Sequence, residues 1–274
     1  MDVELYLDAF QASHPRPLAT TPRADLWRVD TARGQAVLKV LTPVGIAAGE
    51  LTGAQALRLW NGAGAVRIHD IQGCAMLMDW LSGPSLADMA RAGQDLEAAA
   101  VLAQVALKLR RPAHAEFGDL KDHYAAALET VDVADVPEQY RAAMSRARTL
   151  WQHLVNSTQD RCLLHADLHH ENVLHGDHGW CAIDPKGVNG DPCYEFANAF
   201  RNPKGFAPAA TPDRILALAK IFATHTGLNK TRILQFGFAH VALSLAWNLS
   251  QGRLPKADLD ILLTFDKLHT APLP

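Results

Sequence analysis

Residues 162–184 leave the chain few folds to choose from. An apolar run, Cys162-Leu163-Leu164, delivers His165-Ala166-Asp167. Asn172 follows five residues after that aspartate, then strand-like Val173-Leu174, a His/Gly/Asp turn and a second strand ending at Asp184. The pattern predicts a short strand, a polar loop and a β-hairpin set among helices.

The rest of the chain frames that segment with two different periodicities. Over the first eighty residues, strand-like runs at 24–29 and 35–40 flank the turn-forming DTARG, and two more stand at 66–71 and 74–80. Between them Leu51, Ala54, Leu57 and Trp60 recur at helical spacing, which predicts one helix over 50–60. LSGPS at 81–85 reads as a connector, with Ser85 placed to cap the next helix. Helical patterning then covers 96–110, 137–156, 212–225, 230–250 and 257–268. The expected architecture is α+β and bilobal: a small β-rich lobe over 1–80 carrying one helix, a hinge at 81–85, and a larger, mainly helical lobe over 86–274. Ligands commonly bind in such a crevice.

Charge and composition exclude several classes of partner. A formal net charge of −3 supplies no field for nucleic acid or an anionic membrane surface. No apolar stretch approaches the ~18 residues of a transmembrane helix, and MDVELYLDAFQASHPRP lacks the basic and apolar regions of a signal peptide. Cys74, Cys162, Cys181 and Cys193 form no C-x-x-C pair and read as free thiols in a reducing cytoplasm. No protein partner is implied.

Asp and Asn favour turns and caps, so Asp167, Asn172 or Asp184 alone would read as structural. Their joint spacing reverses that reading, because a loop and a hairpin would bring three hard oxygen donors to one cleft. Phosphoryl transfer needs this set. Its loose transition state is served by positioning and charge neutralisation. One carboxylate must accept the proton of the attacking hydroxyl, and further oxygens must hold Mg²⁺ against the phosphates.

H-x-D-L-x-x-x-N is the catalytic-loop pattern of the kinase fold, and HADLHHENVL resembles that of the aminoglycoside phosphotransferases. IDPKGVNGDPCYEFAN is similar to the streptomycin/hydroxyurea branch of that family, and the likeness extends upstream through VLKV and W-x-G-x-G-A-V-R, over about residues 24–200. The resemblance implies an ATP- and Mg²⁺-dependent small-molecule kinase of protein-kinase-like fold. Asp167 would be the general base, and Asn172 and Asp184 the Mg²⁺ ligands. Lys39 would contact the α- and β-phosphates and Glu50 would hold that lysine, while Asp79 to Leu81 would meet the adenine edge. A lysine in an apolar strand needs such a partner; a glutamate at a helix start also suits the dipole. Asp191 and Glu195 are open to two readings, support of the catalytic loop or contact with a cationic acceptor.

There are departures from the family pattern. PLATTPRADLW stands where a glycine-rich phosphate loop is expected. Ala166 replaces a glycine, a change that is tolerated if its backbone is not left-handed. The histidines at 165, 169, 170, 175 and 178 do not follow a metallohydrolase or H-E-x-x-H spacing. Between Asp184 and Asp191 there is little room for a peptide-binding activation segment, which argues against a protein kinase. The acceptor implied is a small molecule: an aminoglycoside such as streptomycin, hydroxyurea, or another metabolite such as a sugar or amino-alcohol. A non-catalytic nucleotide-binding pseudokinase is the alternative from another class.

Overall fold

Period-two patterning organises the N-terminal region of this computed structural model, which describes residues 3–129 and 132–270. Helix α1 (Glu4–Phe10) leads into strands β1 (Ser13–Thr20), β2 (Ala24–Thr31) and β3 (Gly34–Leu41). Helices α2 (Pro43–Ala47) and α3 (Glu50–Trp60) follow, then β4 (Ile68–Gln72) and β5 (Ala75–Asp79). The strands form one antiparallel sheet in the order β1-β2-β3-β5-β4. Successive residues of a strand face opposite sides. Along β3, Ala36, Leu38 and Val40 pack with Leu7 and Phe10 of α1. The alternate residues Val37 and Lys39 face a cavity. The strand alternation therefore aims Lys39 at the cleft.

This sheet region holds more than the four strands and one helix expected of it. Strand β1 was not anticipated because it is an almost wholly exposed edge strand with Pro15 and Pro17 inside it, so it shows no alternation. Helices α1 and α2 span seven and five residues, too short to set up a readable helical period.

The C-terminal region begins with α4 (Leu86–Arg91), where Ser85 accepts from the Asp88 N–H and Asp88 answers the Ser85 N–H in a capping box. Helices α5 (Asp95–Leu109), α6 (Leu120–Glu129) and α7 (Glu138–Asn156) follow, with strand β6 (Arg111–Pro112) between the first two. Strand β7 (Cys162–Leu164) lies between β6 and β10 (Val188–Gly190) in a small antiparallel sheet, and β8 (Val173–Gly176) with β9 (Gly179–Ala182) makes the expected hairpin. A 3₁₀ helix (Pro192–Arg201) leads to α8 (Pro212–Thr226), α9 (Lys230–Leu249) and α10 (Lys256–Thr270). Helix α9 is buried from Ile233 to Ala246 on nearly every side, as the central helix of a packed layer must be. It rests on the 3₁₀ helix, α7, α8 and α10. No described helix is long and apolar enough to cross a membrane.

The hairpin ties the two regions together. Ala182 N–H donates to Gly64 O and Val66 N–H to Ala182 O, while His175 N–H reaches Pro84 O. Helix α3 closes the same seam through Gly53, where a Cβ would stand 2.1 Å from the carbonyl oxygen of Pro185. Any side chain there would push Glu50 away from the segment that follows Asp184.

Candidate active site

Strand β7 hands the chain to the loop at 165–172, and buried side chains hold that loop from behind. His165 stacks on Trp60 at 6.3 Å between ring centroids. Its Nε2 donates to Ile183 O at 2.8 Å, and Nδ1 accepts the Asp167 N–H at 3.3 Å. Burial pushes the imidazole down to about 4, so the ring is neutral and this tautomer is fixed. Beneath the loop, the buried Glu195 carboxylate accepts the N–H groups of His165 at 3.0 Å and Ala166 at 3.3 Å. Burial raises that carboxyl to about 8 against the pull of the two N–H groups.

Ala166 itself has φ +62°. The condition under which the missing glycine would be harmless is therefore not met, since left-handed backbone strains any residue with a Cβ. The loop's hydrogen bonds keep Ala166 in that conformation.

Asp167 emerges at the surface of a cavity of about 180 Å³. Asn198 Nδ2 donates to its Oδ1 at 2.6 Å, and Lys186 Nζ stands 3.4 Å from its Oδ2. Asn172 donates through Nδ2 to the Asp167 carbonyl at 3.0 Å, which leaves its side-chain oxygen as an acceptor. At the end of the hairpin Asp184, with φ +63°, brings Oδ1 to 2.5 Å from Lys39 Nζ. Glu50 Oε2 lies 3.0 Å from the same ammonium. Burial alone would lower the lysine, but the charges of Asp184 and Glu50 outweigh it and hold it above its usual value. Desolvation in the cleft works to raise Asp184, and the charges of Lys39 and Lys186 override it and keep the carboxylate ionised.

Lys39, Glu50 and Asp184 border a second, larger cavity of about 480 Å³, walled by apolar side chains that include Leu26, Val37, Met76 and Met78. Asp79 and Leu81 lie on its rim. The Asp79 carboxylate is engaged by His69 at 2.8 Å, whereas the Leu81 N–H makes no hydrogen bond among the described residues. Arg23 lines both cavities.

Asp191 and Glu195 act within the fold. Asp191 caps the 3₁₀ helix through the Cys193 N–H at 2.9 Å and accepts Arg232 Nε at 2.7 Å. Of the two it is Glu195, not Asp191, that holds the backbone of the 165–172 loop. The histidines of this stretch disperse: His170 is fully buried, His169 Nδ1 lies 3.0 Å from Glu171 and His175 packs on Trp180. Among the described residues no three His, Cys, Asp or Glu side chains gather as a metal site.

Several side chains at this site have no counterpart among the residues singled out from sequence, among them the polar groups of Arg23, Lys186, Asn198 and Arg201. A readable signal existed for two of them. With three residues per turn, side chains three apart align, so the 3₁₀ helix places Glu195, Asn198 and Arg201 on one face. Glu195 meets the loop backbone and Asn198 the Asp167 carboxylate. Arg201 contacts the Asn198 side-chain oxygen at 3.3 Å and Asp258 at 2.7 Å.

Comparison with known proteins places this arrangement among kinases. Residues 11–252 match the family model described as aminoglycoside/hydroxyurea antibiotic resistance kinase, a wider span than the motifs alone covered. The chain is 35% identical over 209 residues to a streptomycin 3''-kinase of Klebsiella pneumoniae, covering 74% of this chain and 77% of that one. It is 31% identical over 237 residues to a streptomycin 6-kinase of Streptomyces glaucescens, covering 82% and 74%. In three dimensions it resembles a thermostable mutant of aminoglycoside phosphotransferase APH(4)-Ia, in ternary complex with AMP-PNP and hygromycin B. That likeness has a TM-score of 0.70 at 16% identity, over 98% of this chain and 99% of the other, and establishes the kinase-like fold.

Proposed function

The chain belongs to the aminoglycoside/hydroxyurea antibiotic resistance kinase family, and we propose that it moves the γ-phosphoryl group of ATP onto a hydroxyl of a small polar acceptor, with Asp167 as the base. The observation that carries this reading is a pair of cavities that share Arg23 in their walls. The larger and apolar one suits a purine and ends at Lys39 and Glu50; the smaller opens on the Asp167 carboxylate.

Each side chain then has one task. The walls of the larger cavity take the adenine, and the unpaired N–H of Leu81, in the hinge at 81–85, is free to meet its edge. Lys39, held by Glu50, contacts the α- and β-phosphates. The free oxygen of Asn172 and the ionised carboxylate of Asp184 are hard oxygen donors, which fits a Mg²⁺ site. Bound there, the ion would neutralise charge on the phosphates. Asn198 orients Asp167 so that Oδ2 faces the acceptor and takes its hydroxyl proton.

The acceptor class follows from the relatives: an aminoglycoside of the streptomycin type, or hydroxyurea. Four free cysteines suit a reducing cytoplasm, where ATP is at hand. The test is Mg-ATP turnover with streptomycin, other aminoglycosides, hydroxyurea and simple amino-alcohols, read as phosphorylated product by mass spectrometry. A phosphorylated aminoglycoside or hydroxyurea supports the reading, a phosphorylated amino-alcohol alone would shift the acceptor class, and absence of product from all would refute it.

A further inference from the structure

We propose that Arg23 and Lys186 form a second cationic clamp that grips the transferring phosphoryl group at the junction of the two cavities, apart from the lysine in strand β3. The inference rests on the kinase reading above and adds two catalytic residues to it.

The geometry begins with one carboxylate. Glu50 Oε2 takes Lys39, while Oε1 stands 3.3 Å from Arg23 Nη1 and 3.8 Å from Lys186 Nζ. Holding one lysine does not explain why three cations converge on a single buried carboxylate, since like charges this close repel. A site that must take a highly charged anion does explain it. Asp184 and Asp167 offset the excess by contacting Lys39 and Lys186, so the triphosphate would replace carboxylate contacts already in place.

Both residues are held in position. Lys186 is nearly buried, and its N–H donates to the His165 carbonyl at 2.8 Å, which locks it to the catalytic loop. Arg23 sits on the β1–β2 turn. There its carbonyl accepts the Thr42 N–H at 2.9 Å, and Thr42 Oγ1 donates to Pro22 O at 2.7 Å. Gly45 lets the backbone approach, because a Cβ there would stand 2.1 Å from the Arg23 oxygen. The Arg23 guanidinium also lies 5.9 Å from the ring centroid of Trp247 on α9, so it spans the cleft. This turn stands where a glycine-rich loop is missing, and it offers a side-chain cation in place of backbone N–H groups.

The transfer step balances around these groups. The acceptor oxygen forms its bond to the γ-phosphorus as the bond to the β,γ-bridging oxygen breaks, ADP leaves with that electron pair, and Asp167 takes the hydroxyl proton. As the Asp167 charge is neutralised, the Lys186 ammonium is released to the equatorial phosphoryl oxygens where charge gathers.

The test is Lys186→Met and Arg23→Met, with Lys186→Arg as the conservative variant. Dissociation constants for ADP and for AMP-PNP, both with Mg²⁺, are measured beside kcat. We expect each Met variant to keep its affinity for ADP, to lose any preference for the analogue carrying the γ-phosphate, and to fall in kcat by about 10²-fold. Lys186→Arg should keep part of both. Equal loss of ADP and analogue affinity would show a role in packing only, and unchanged kcat with an unchanged ADP-to-analogue ratio would overturn the clamp. If Lys186→Met does not fold, Arg23→Met on its partly exposed turn carries the same comparison. Wild-type protein that phosphorylates nothing would refute the kinase reading instead, while the affinity ratios would still judge the clamp.

Discussion

Asn198 donates a 2.6 Å hydrogen bond from Nδ2 to Oδ1 of Asp167, and so decides which oxygen of that carboxylate is left for chemistry. The bond comes from a 3₁₀ helix whose previous turn, at Glu195, already holds the backbone of the same loop. The Asp167 carboxylate and its loop are thus set by one rigid element. Asn198→Ala should lower kcat by about 10- to 100-fold through misorientation of the carboxylate, with little change in KM for ATP. Asn198→Asp should be worse, because it sets a second carboxylate against the first. Steady-state kinetics check this, and a wild-type kcat in Asn198→Ala would remove the orienting role.

Lys39→Ala should reduce kcat/KM for ATP by about 10²-fold, the loss of one preorganised electrostatic contact. Glu50→Gln should cost less, since the amide keeps the shape and one acceptor while losing the charge that three cations share. Equal activity of Lys39→Ala and wild type would take the lysine out of the site.

Ala166 carries left-handed strain of roughly 1–2 kcal/mol, partly offset by the chain entropy that a glycine would add to the unfolded state. Ala166→Gly should therefore stabilise the protein by up to about 1 kcal/mol and leave turnover intact. A thermal melt is the check, and a lower Tm would mean that the buried methyl group contributes more than the strain costs.

Burial holds His165 at about 4 and His170 and His240 at about 3, against 6.5 when free, with Arg214 adding to the effect at His170 and Arg201 at His240. The folded state thus binds fewer protons than the unfolded state in that window. Their contribution is complete above pH 6.5 and is lost as pH falls toward 4 and then 3, each group at up to about 1.4 kcal/mol per pH unit. Glu195, raised by burial from 4.5 to about 8, works in the opposite direction between those values. The Tm should therefore be level only above about pH 8 and still fall below pH 6, where three histidines outweigh one carboxyl. His170→Leu, which removes two ring nitrogens that have no hydrogen bond, should flatten part of that limb. An unchanged Tm down to pH 5 would contradict the neutral assignments.

The split into a sheet region and a helical region was legible because period two and period 3.6 separate cleanly along the chain. Asp167, Asn172 and Asp184 stood out because the loop and hairpin that unite them are continuous in sequence. Arg23 and Lys186 were not legible: one lies in a turn without glycine signals, and the other follows a proline in a segment with no periodic pattern to set it apart. What makes them part of the site is the approach of α3 through Gly53, a tertiary contact that no local pattern encodes. Strand β1 was hidden for a different reason, since an exposed edge strand with two prolines has no apolar face to reveal it.

The most direct measurement compares wild type with Asp167→Asn, following phosphoryl transfer from Mg-ATP to streptomycin and to hydroxyurea beside nucleotide affinity. The account predicts turnover on at least one acceptor in the wild type, and in the variant ATP binding that is nearly unchanged with no detectable transfer. Transfer at a comparable rate in Asp167→Asn would contradict it.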